Sequence, residues 1–495
     1  MVNVLILTEG GAESGYGHLS RCLALSQAFK DFDSELKVKL IVRADKRAKE
    51  FLKSSSADFI SSDWLRKTDR IQELVDEKTI VIIDSYQAPR MFYESLRISK
   101  YKPYVVAIDD YNRIDYNVDA VINYSVGDNH DIGIIKRKGV KYLLGSKYIL
   151  LRKEFYEKHN KKINKTIKDI LICLGGSDCK MFIMSIINLL ADYDFNLHVV
   201  SPNKILHDDL TNGSKVNVYS VQRPRDMCSL MLKVDLCISG GGQMLNELAS
   251  LGVPTIAICL ARNQMENIGR WQKTEFLEYA GWHLDKDILP NIKMSLDRMK
   301  TIETRKRKAA LGIKASNVNG RFRIIRSLLS DFYGKRLTFR RAKIDDAKDV
   351  YELSNDPLVR KVSTCSKKIE WLHHLSWMEE RLEDSNHIFY IVSDSKYFYG
   401  QVRFNIDPST KDAVISISLH RNIRGMGLGP LIINKTVKEL FKMRKDVDVV
   451  SATIKDNNVP SITSFKNSNF QLLKDLKVDG NKLKLFAGGK KNVEL

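Results

Sequence analysis

The chain has 495 residues, a net charge of +20 from 80 Lys and Arg against 60 Asp and Glu, and 43% hydrophobic residues. That length is too great for one core and calls for about three units of ordinary domain size, while no apolar run approaches the ~18–20 residues of a membrane-spanning helix, so no membrane insertion is expected. The cations are spread along the chain without aromatic-interleaved clusters, which argues against nucleic acid and for a basic surface that attracts anionic metabolites. The densest cluster, Lys300, Arg305, Lys306, Arg307 and Lys308, reads as one solvated helix face. Seven cysteines, odd in number and without CxxC or metal-ligand spacing, point to reduced thiols in a cytoplasmic protein. The opening MVNVLILTEGG lacks a basic segment and a cleavage site and reads as a first strand.

VNVLIL (2–7) is followed by a helix over 20–30, then by KVKLIV (37–42), TIVIID (79–84), YVVAID (104–109) and DAVINY (119–124). Continuous β-branched runs without alternation belong to strands buried on both faces, and the helices between them make βαβ units. KYLLGSKYILLRKEF (141–155) reads as a hinge. A second set then starts with DILICL (169–174) and continues through 196–200, 234–238 and 254–259 to a closing helix over 316–330. From Arg336 the order changes: a strand and a helix, then HIFYIVSD, YFYGQVRFNI and AVISISLH with period-2 character, a Gly-rich turn and helix over 422–443, and VVSATI. The fold class expected is α/β, two Rossmann-like domains (1–145 and 146–333) followed by an α+β domain (334–495), with a cleft between the first two.

Gly15, Tyr16, Gly17, His18, Leu19, Ser20 and Arg21 follow the first strand. Two glycines permit a tight turn and close ligand approach, and His18 falls near a helix N-terminus above the carboxyl end of the strand, where open α/β sheets bind ligands. A helix N-terminus disfavours imidazolium, so a neutral, proton-accepting His18 fits there, although a loop-capping histidine fits the local pattern as well. In the second half Ser239, Gly240, Gly241, Gly242, Gln243, Met244 and Glu247 span a strand-to-helix junction whose amides suit a diphosphate, with Glu247 placed to accept from ribose hydroxyls. Gly175, Gly176, Ser177 and Asp178, and then Asn263 and Gln264, lie in further loops on the same edge.

This ordered set (GxGHxxR, GGSD, SGGGxxxxE, GVP and NQ over about residues 1–330) resembles the UDP-sugar hydrolase of the pseudaminic acid pathway, a GT-B family. The resemblance implies release of UDP from UDP-2,4-diacetamido-2,4,6-trideoxy-β-L-altropyranose with inversion. It implies His18 as the base that activates water, Glu247 on the ribose, the Gly turn on the diphosphate and Asn263 at the sugar, with Gly15, Gly17, Arg21 and Gln264 in the same UDP-sugar site. The family commonly has Ser or Thr where Gln243 and Met244 stand. UDP is already a good leaving group, so a base, a water and oriented amides suffice, and no metal is expected.

Arg421-Asn422-Ile423-Arg424-Gly425-Met426-Gly427-Leu428-Gly429 follows a strand and precedes a helix, a placement that presents successive amides to a pyrophosphate. Arg424, Gly427 and Gly429, with Asn458 and Ser461 after the strand at 449–454, are similar to the acetyl-CoA loop of the GNAT superfamily over about residues 336–486. The resemblance implies acetyl-CoA as co-substrate, held by Leu419, Arg424, Gly425, Gly427, Leu428, Gly429, Asn458 and Ser461. Phe465 stands where many members carry the tyrosine that protonates the thiolate. Glu352, Asp356 and Tyr399 are possible acceptor-side residues. Joined, the two resemblances imply a bifunctional enzyme of a UDP-amino sugar, which acetylates the 4-amino precursor and removes UDP. The alternatives are a GT-B glycosyltransferase with an accessory acyltransferase, or a nucleotide-sugar and acyl-CoA sensor.

Overall fold

A computed structural model describes residues 2–11, 15–54, 58–110, 113–127, 136–157, 159–175, 179–201, 215–219, 224–316, 319–363, 365–394, 396–478 and 481–490. The chain divides into two compact units, Met1–Ile325 and Arg326–Leu495. Among the described residues no helix is long and apolar enough to cross a membrane.

The first unit holds two parallel sheets. In the first, β1 (Asn3–Gly10), β2 (Lys37–Ala44), β3 (Phe59–Ser61), β4 (Thr79–Asp84), β5 (Tyr104–Ile108), β6 (Ala120–Asn123) and β7 (Lys141–Leu144) are ordered β3-β2-β1-β4-β5-β6-β7. Every residue of β4 is buried, as are all but the first of β1, which is why both read as unbroken apolar runs. The order reverses at β1, which pairs β2 on one side and β4 on the other, bringing Thr8 opposite Asp84. The second sheet contains β8 (Asp169–Cys173), β9 (Asn196–Val200), β10 (Val216–Tyr219), β11 (Leu236–Gly240), β12 (Thr255–Cys259) and β13 (Leu277–Trp282), ordered β10-β9-β8-β11-β12-β13. Its order reverses at β8, between β9 and β11. Ile170, Ile172, Leu197, Val199, Ile238 and Ile256 anchor a core against the helices Lys180–Leu190 and Ile288–Arg298. Each reversal leaves a crevice at the carboxyl ends of the strands beside it.

The second unit is α+β. Its strands β14 (Thr338–Arg341), β15 (His387–Ser393), β16 (Phe398–Asp407), β17 (Asp412–Leu419), β18 (Val449–Lys455), β19 (Gln471–Val478) and β20 (Asn481–Gly489) are ordered β14-β15-β16-β17-β18-β20-β19. All pairs are antiparallel except β17 with β18. That parallel pair is in register only from Asp412–Val414 against Val449–Ser451, so Ile415–Leu419 continue without β18 beside them. Helices Ala347–Ser354, Pro357–Val362, Trp371–Glu383, Gly429–Met443 and Val459–Lys466 accompany the sheet.

Three readings of the sequence change. The segment expected as a hinge begins with edge strand β7 and then makes two 3₁₀ turns, because its apolar run is short and ends at Gly145, whose φ is 92°. The closing helix runs from Gly320 to Gly334. The basic cluster is not a uniformly solvated face: Arg305 is fully buried and Lys308 nearly so. Arg305, Lys308, Ala309 and Gly312 repeat at i, i+3, i+4 and i+7, the core stripe of helix Ile302–Ala315. Arg305 Nη1 donates to the carbonyls of Met299 and Lys300, each at 2.7 Å, and Nη2 to those of Asn164 (2.7 Å) and Lys165 (3.0 Å). Lys308 Nζ lies 2.8 Å from Glu278 and donates to the Glu275 and Leu277 carbonyls.

Arg305 therefore satisfies, from a buried position, carbonyls at a helix end and in the loop at 164–165. Arg305→Ala strands these acceptors and is expected to destabilise the first unit by about 3 kcal/mol. Arg305→Lys recovers only part of that, since one ammonium cannot fork to both groups. Chemical denaturation of the three proteins checks the order; an unchanged midpoint in Arg305→Ala contradicts it.

Candidate functional site

Both crevices of the first unit line one cavity of about 410 Å³, a size that suits a small organic ligand. From the first sheet it receives Gly15, Tyr16, Gly17, His18, Arg21, Tyr86, Asp110 and Tyr124; from the second, Ser239, Gly240, Gly241, Gly242, Gln243, Met244, Glu247, Asn263 and Gln264, with Arg152 and Asn267. Gly176 and Ser177 lie outside the described residues.

His18 sits in the first turn of helix Gly17–Phe32, and its Nδ1 is 2.7 Å from Oδ1 of Asp84, the last residue of β4. Arg21 Nη2 lies 2.9 Å from the same Nδ1 but gives its hydrogen to Asp84 Oδ1 at 2.5 Å; since a carboxylate only accepts, the Asp84 contact assigns the ring hydrogen to Nδ1 and the lone pair to Nε2. The Tyr86 ring stands edge-on to the imidazole, 4.3 Å between centroids. Asp84 has no exposed surface. Burial opposes its charge, yet Arg21 and then His18 hold the carboxyl well below the usual carboxylate range. Arg21 forks onto it, Nε to Oδ2 and Nη2 to Oδ1, both at 2.5 Å, while Nη1 donates to Asp110 (2.8 Å) and to the Tyr124 hydroxyl (2.7 Å). Tyr86 donates to the other Asp110 oxygen at 2.7 Å. Arg21, expected as a ligand contact, is thus a buried clamp on the His18–Asp84 pair. Sequence reasoning missed Asp84, Asp110, Tyr86 and Tyr124; an acid closing an apolar strand (TIVIID) was the available signal for the first.

Across the cavity the Gly turn divides its labour. A Cβ on Gly240 would meet the Leu174 carbonyl at 2.9 Å, and one on Gly241 would meet Ile268 at 2.4 Å, so these two glycines serve packing. The Gly241 amide donates to Gln264 Oε1, which also accepts from Leu260, and Asn267 Nδ2 donates to the Gly241 carbonyl at 2.7 Å. Gln264 is therefore a loop clamp. Gly242 faces open space, and with Gln243 and Met244 it opens helix Met244–Leu251, where helical geometry leaves amides without intrahelical acceptors. The open part of the turn lies at Gly242, one to two residues later than the first two glycines of the pattern. Gln243 Nε2 donates to the Leu150 carbonyl at 2.6 Å, and its Oε1 accepts from Asn246 and from Tyr124, which ties the second sheet's loop to the first sheet's tyrosine. Glu247 is buried and gripped by Arg152, Nε to Oε1 at 2.9 Å and Nη2 to Oε2 at 2.8 Å. Burial raises its pKa, and Arg152 works against that rise. The carboxylate keeps lone pairs for further donors. Asn263 is exposed at the mouth.

In the second unit Gly425 (φ 75°) and Gly427 (φ 76°) hold left-handed backbone, and a Cβ at either meets nothing within 4 Å. Gly429 differs: a Cβ there would strike Ser464 Oγ at 2.5 Å, so its glycine permits helix Gly429–Met443 to approach helix Val459–Lys466. Arg424 donates from Nε to the Leu419 carbonyl at 2.6 Å and pairs with Asp356 at 3.1 Å; Asp356 also caps helix Pro357–Val362. Leu428 is buried. Asn458 caps helix Val459–Lys466 by accepting from the Ser461 amide, and Phe465 is buried against Phe470. Tyr399 donates to Asp394, and Glu352 is exposed.

The acetyltransferase (GNAT) domain family matches residues 336–471. An uncharacterized protein of Methanocaldococcus jannaschii is 24% identical over 77% of this chain and 78% of its own length. The Helicobacter pylori pseudaminic acid cytidylyltransferase and UDP-2,4-diacetamido-2,4,6-trideoxy-beta-L-altropyranose hydrolase is 25% identical over 56% of this chain, which spans about half of that relative (49%). The chain thus matches the GNAT domain family at 336–471 and is similar over about half its length to a protein named for a pseudaminic acid pathway hydrolase. The spore coat polysaccharide biosynthesis protein SpsG of Bacillus subtilis is 25% identical over 55% of this chain and 80% of its own length. Spermidine N-acetyltransferase from Vibrio cholerae, in complex with CoA and spermine, superposes on 32% of this chain and 98% of its own at 15% identity and a TM-score of 0.30.

In the first unit the Glu247–Arg152 pair makes a pH-dependent prediction. Arg152→Ala leaves a buried carboxylate without a countercharge, which costs about 3–5 kcal/mol while Glu247 is ionised. Losing Arg152 raises Glu247's pKa further, so the deficit against wild type is full above the variant's pKa and shrinks as pH falls from there toward the wild-type one. Urea denaturation at pH 7.5 and pH 5 measures it; a deficit equal at both values contradicts the assignment.

Proposed function

We propose that the first unit hydrolyses a UDP-linked diacetamido sugar of the pseudaminic acid type, and that the GNAT domain uses acetyl-CoA to acetylate the 4-amino group of its UDP-linked precursor. The observation that carries the hydrolytic half is the single cavity on which an oriented histidine and a Gly-rich turn with a buried acid converge. The two sheets then take the GT-B arrangement of a nucleotide-sugar enzyme, and the kinship with the H. pylori hydrolase supports the sugar class.

In this reading Nε2 of His18 takes a proton from water as the water oxygen bonds to the anomeric carbon. The bond from that carbon to the diphosphate oxygen breaks, and its electron pair leaves with UDP. Asp84 keeps the hydrogen on Nδ1 and stabilises the imidazolium that forms, the role of an orienting carboxylate. The amides of Gly242, Gln243 and Met244 receive the diphosphate, and Glu247 accepts from ribose hydroxyls with its remaining lone pairs. Attack opposite the leaving group inverts the anomeric centre. The reading gives no step to a metal.

The acetyl-CoA half is supported by the loop and by the parting of β17 from β18. Beyond Val414, β17 stays paired with β16 but its other edge no longer faces β18, which offers a pairing edge to the two amides of pantetheine. Gly425 and Gly427 keep the following turn clear for the diphosphate.

His18→Asn is expected to lower kcat for UDP release about 10²–10⁴-fold while UDP still binds. Asp84→Asn is expected to lower it to a similar degree by favouring the wrong tautomer. Asp84 stays ionised far into acid, so its own protonation adds no step to the wild-type pH–rate profile near neutrality. Wild-type turnover in His18→Asn refutes the base assignment. In the second unit, Gly427→Glu forces a side chain onto left-handed backbone and adds negative charge beside the diphosphate. It is expected to abolish acetyl-CoA binding by calorimetry and to leave UDP release intact; normal acetyl-CoA affinity refutes this reading of the loop.

A further inference from the structure

Two aromatic side chains line the first unit's cavity and take no part in the hydrolytic step. Tyr16 and Phe51 stand there with Gly15, Gly17 and His18. Their rings meet edge to face, 5.4 Å between centroids and 64° between planes, and each is half-buried. Tyr16 immediately precedes helix Gly17–Phe32, two residues before His18. Phe51 comes from helix Lys46–Ser54, which follows β2. That helix is firmly seated. Its Ala48 and Leu52 are fully buried, and Asp45 Oδ1 accepts from the Ala48 amide at 2.8 Å at its start. A Cβ on Gly11 would meet the other Asp45 oxygen at 2.5 Å, so the glycine that follows β1 leaves room for the acid that starts the helix. Phe51 is therefore held beside the turn that carries His18.

In the reading above Nε2 of His18 faces the anomeric carbon, so side chains next to His18 border the sugar, and the nucleotide lies toward Gly242 and Glu247. A phenyl ring gives a hydroxyl or an amine no strong hydrogen-bond partner, and covering such a group costs the bonds it made to water. Covering a methyl group removes apolar surface from water and is favourable. Ser20, Asp110 and Ser125, which also line the cavity, offer polar groups to the rest of the ring. We propose that Tyr16 and Phe51 form a methyl-recognising wall that determines which sugar the first unit accepts. The methyl is that of a deoxy carbon or that of an acetamido group. This rests on the hydrolytic reading and assigns its sugar selectivity to two residues outside the proton-transfer machinery.

The test uses the full chain without acetyl-CoA and three UDP-linked substrates: the diacetamido trideoxy sugar, its 6-hydroxy counterpart and its 4-amino counterpart. Wild type is expected to favour the first over at least one of the others by about 10–200-fold in kcat/KM, the range within which an apolar pocket discriminates. Phe51→Ala is expected to remove most of that preference while the Kd for UDP stays as in wild type. The counterpart whose handicap disappears identifies the methyl that the wall covers. Tyr16→Leu is expected to change the same ratio in the same direction. Phe51→Leu keeps an apolar side chain in the helix, is expected to lose part of the preference, and serves where the alanine protein fails to fold. Substrate ratios unchanged by all three substitutions overturn the wall. So does a loss of UDP affinity as large as the loss in kcat/KM, which assigns Phe51 to the nucleotide. If wild type releases UDP from none of the three, the hydrolytic reading fails. The wall is then upheld or overturned by the same comparison made with calorimetric affinities.

Discussion

A carboxylate with no exposed surface, at the end of the central strand β4, is the constraint on which the first unit's site depends. Left alone in that position Asp84 would take up a proton. Arg21 prevents this by forking onto both oxygens, and the remaining approach to Oδ1 belongs to His18. The same guanidinium reaches Asp110 and Tyr124, and Tyr124 reaches Gln243 in the loop of the second sheet. Neutralising one buried charge thus fixes the tautomer of the histidine, the wall of the cavity and the seat of the opposite Gly turn. Arg152 and Glu247 repeat the device across the cavity, which both of them line.

Both units place their candidate sites where strand pairing stops. In the parallel sheets the reversals at β1 and β8 send successive loops to opposite sides and leave a crevice between them. In the GNAT domain β17 and β18 separate after three residue pairs. Helices begin at each of these points, at Gly17, Met244 and Gly429, so strand ends and helix starts lie together. Backbone amides and a few side chains carry the proposed recognition, while Val, Ile and Leu beneath them carry the stability.

Much of this was legible in the sequence because local chemistry dictated it. The range TIVIID matches β4 residue for residue, and the 196–200 strand matches β9, since both are continuous apolar runs bounded by turns. His18, Gly242 and Glu247 stand at strand-to-helix junctions that any βα reading would place at the carboxyl ends of the strands, and Gly427 follows β17 in the second unit. What stayed hidden depends on neighbours far along the chain. Asp84 acquires its role only when β4 lies beside β1. Arg152 was absorbed into an expected hinge, and its partner is 95 residues away. Gly240 and Gly241 resemble phosphate-binding glycines by spacing, yet Leu174 and Ile268 explain them. Arg305 carried its signal in the 3.6-residue stripe, which the surrounding lysines and arginines masked. Phe465, read as a missing acid, is a core residue against Phe470. The edge strands β7, β13 and β19 are short, interrupted or half-polar, which removes the periodic cue.

The central claim is that His18 delivers water to the anomeric carbon of a UDP-linked sugar. Hydrolysis of the UDP-linked diacetamido sugar in ¹⁸O-water, with the products analysed by mass spectrometry and early-time NMR, tests it most directly. The account predicts that the label enters the anomeric hydroxyl of the free sugar, that UDP carries none, and that the first anomer formed is inverted. Label in the terminal phosphate of UDP, or retention at the anomeric centre, contradicts it.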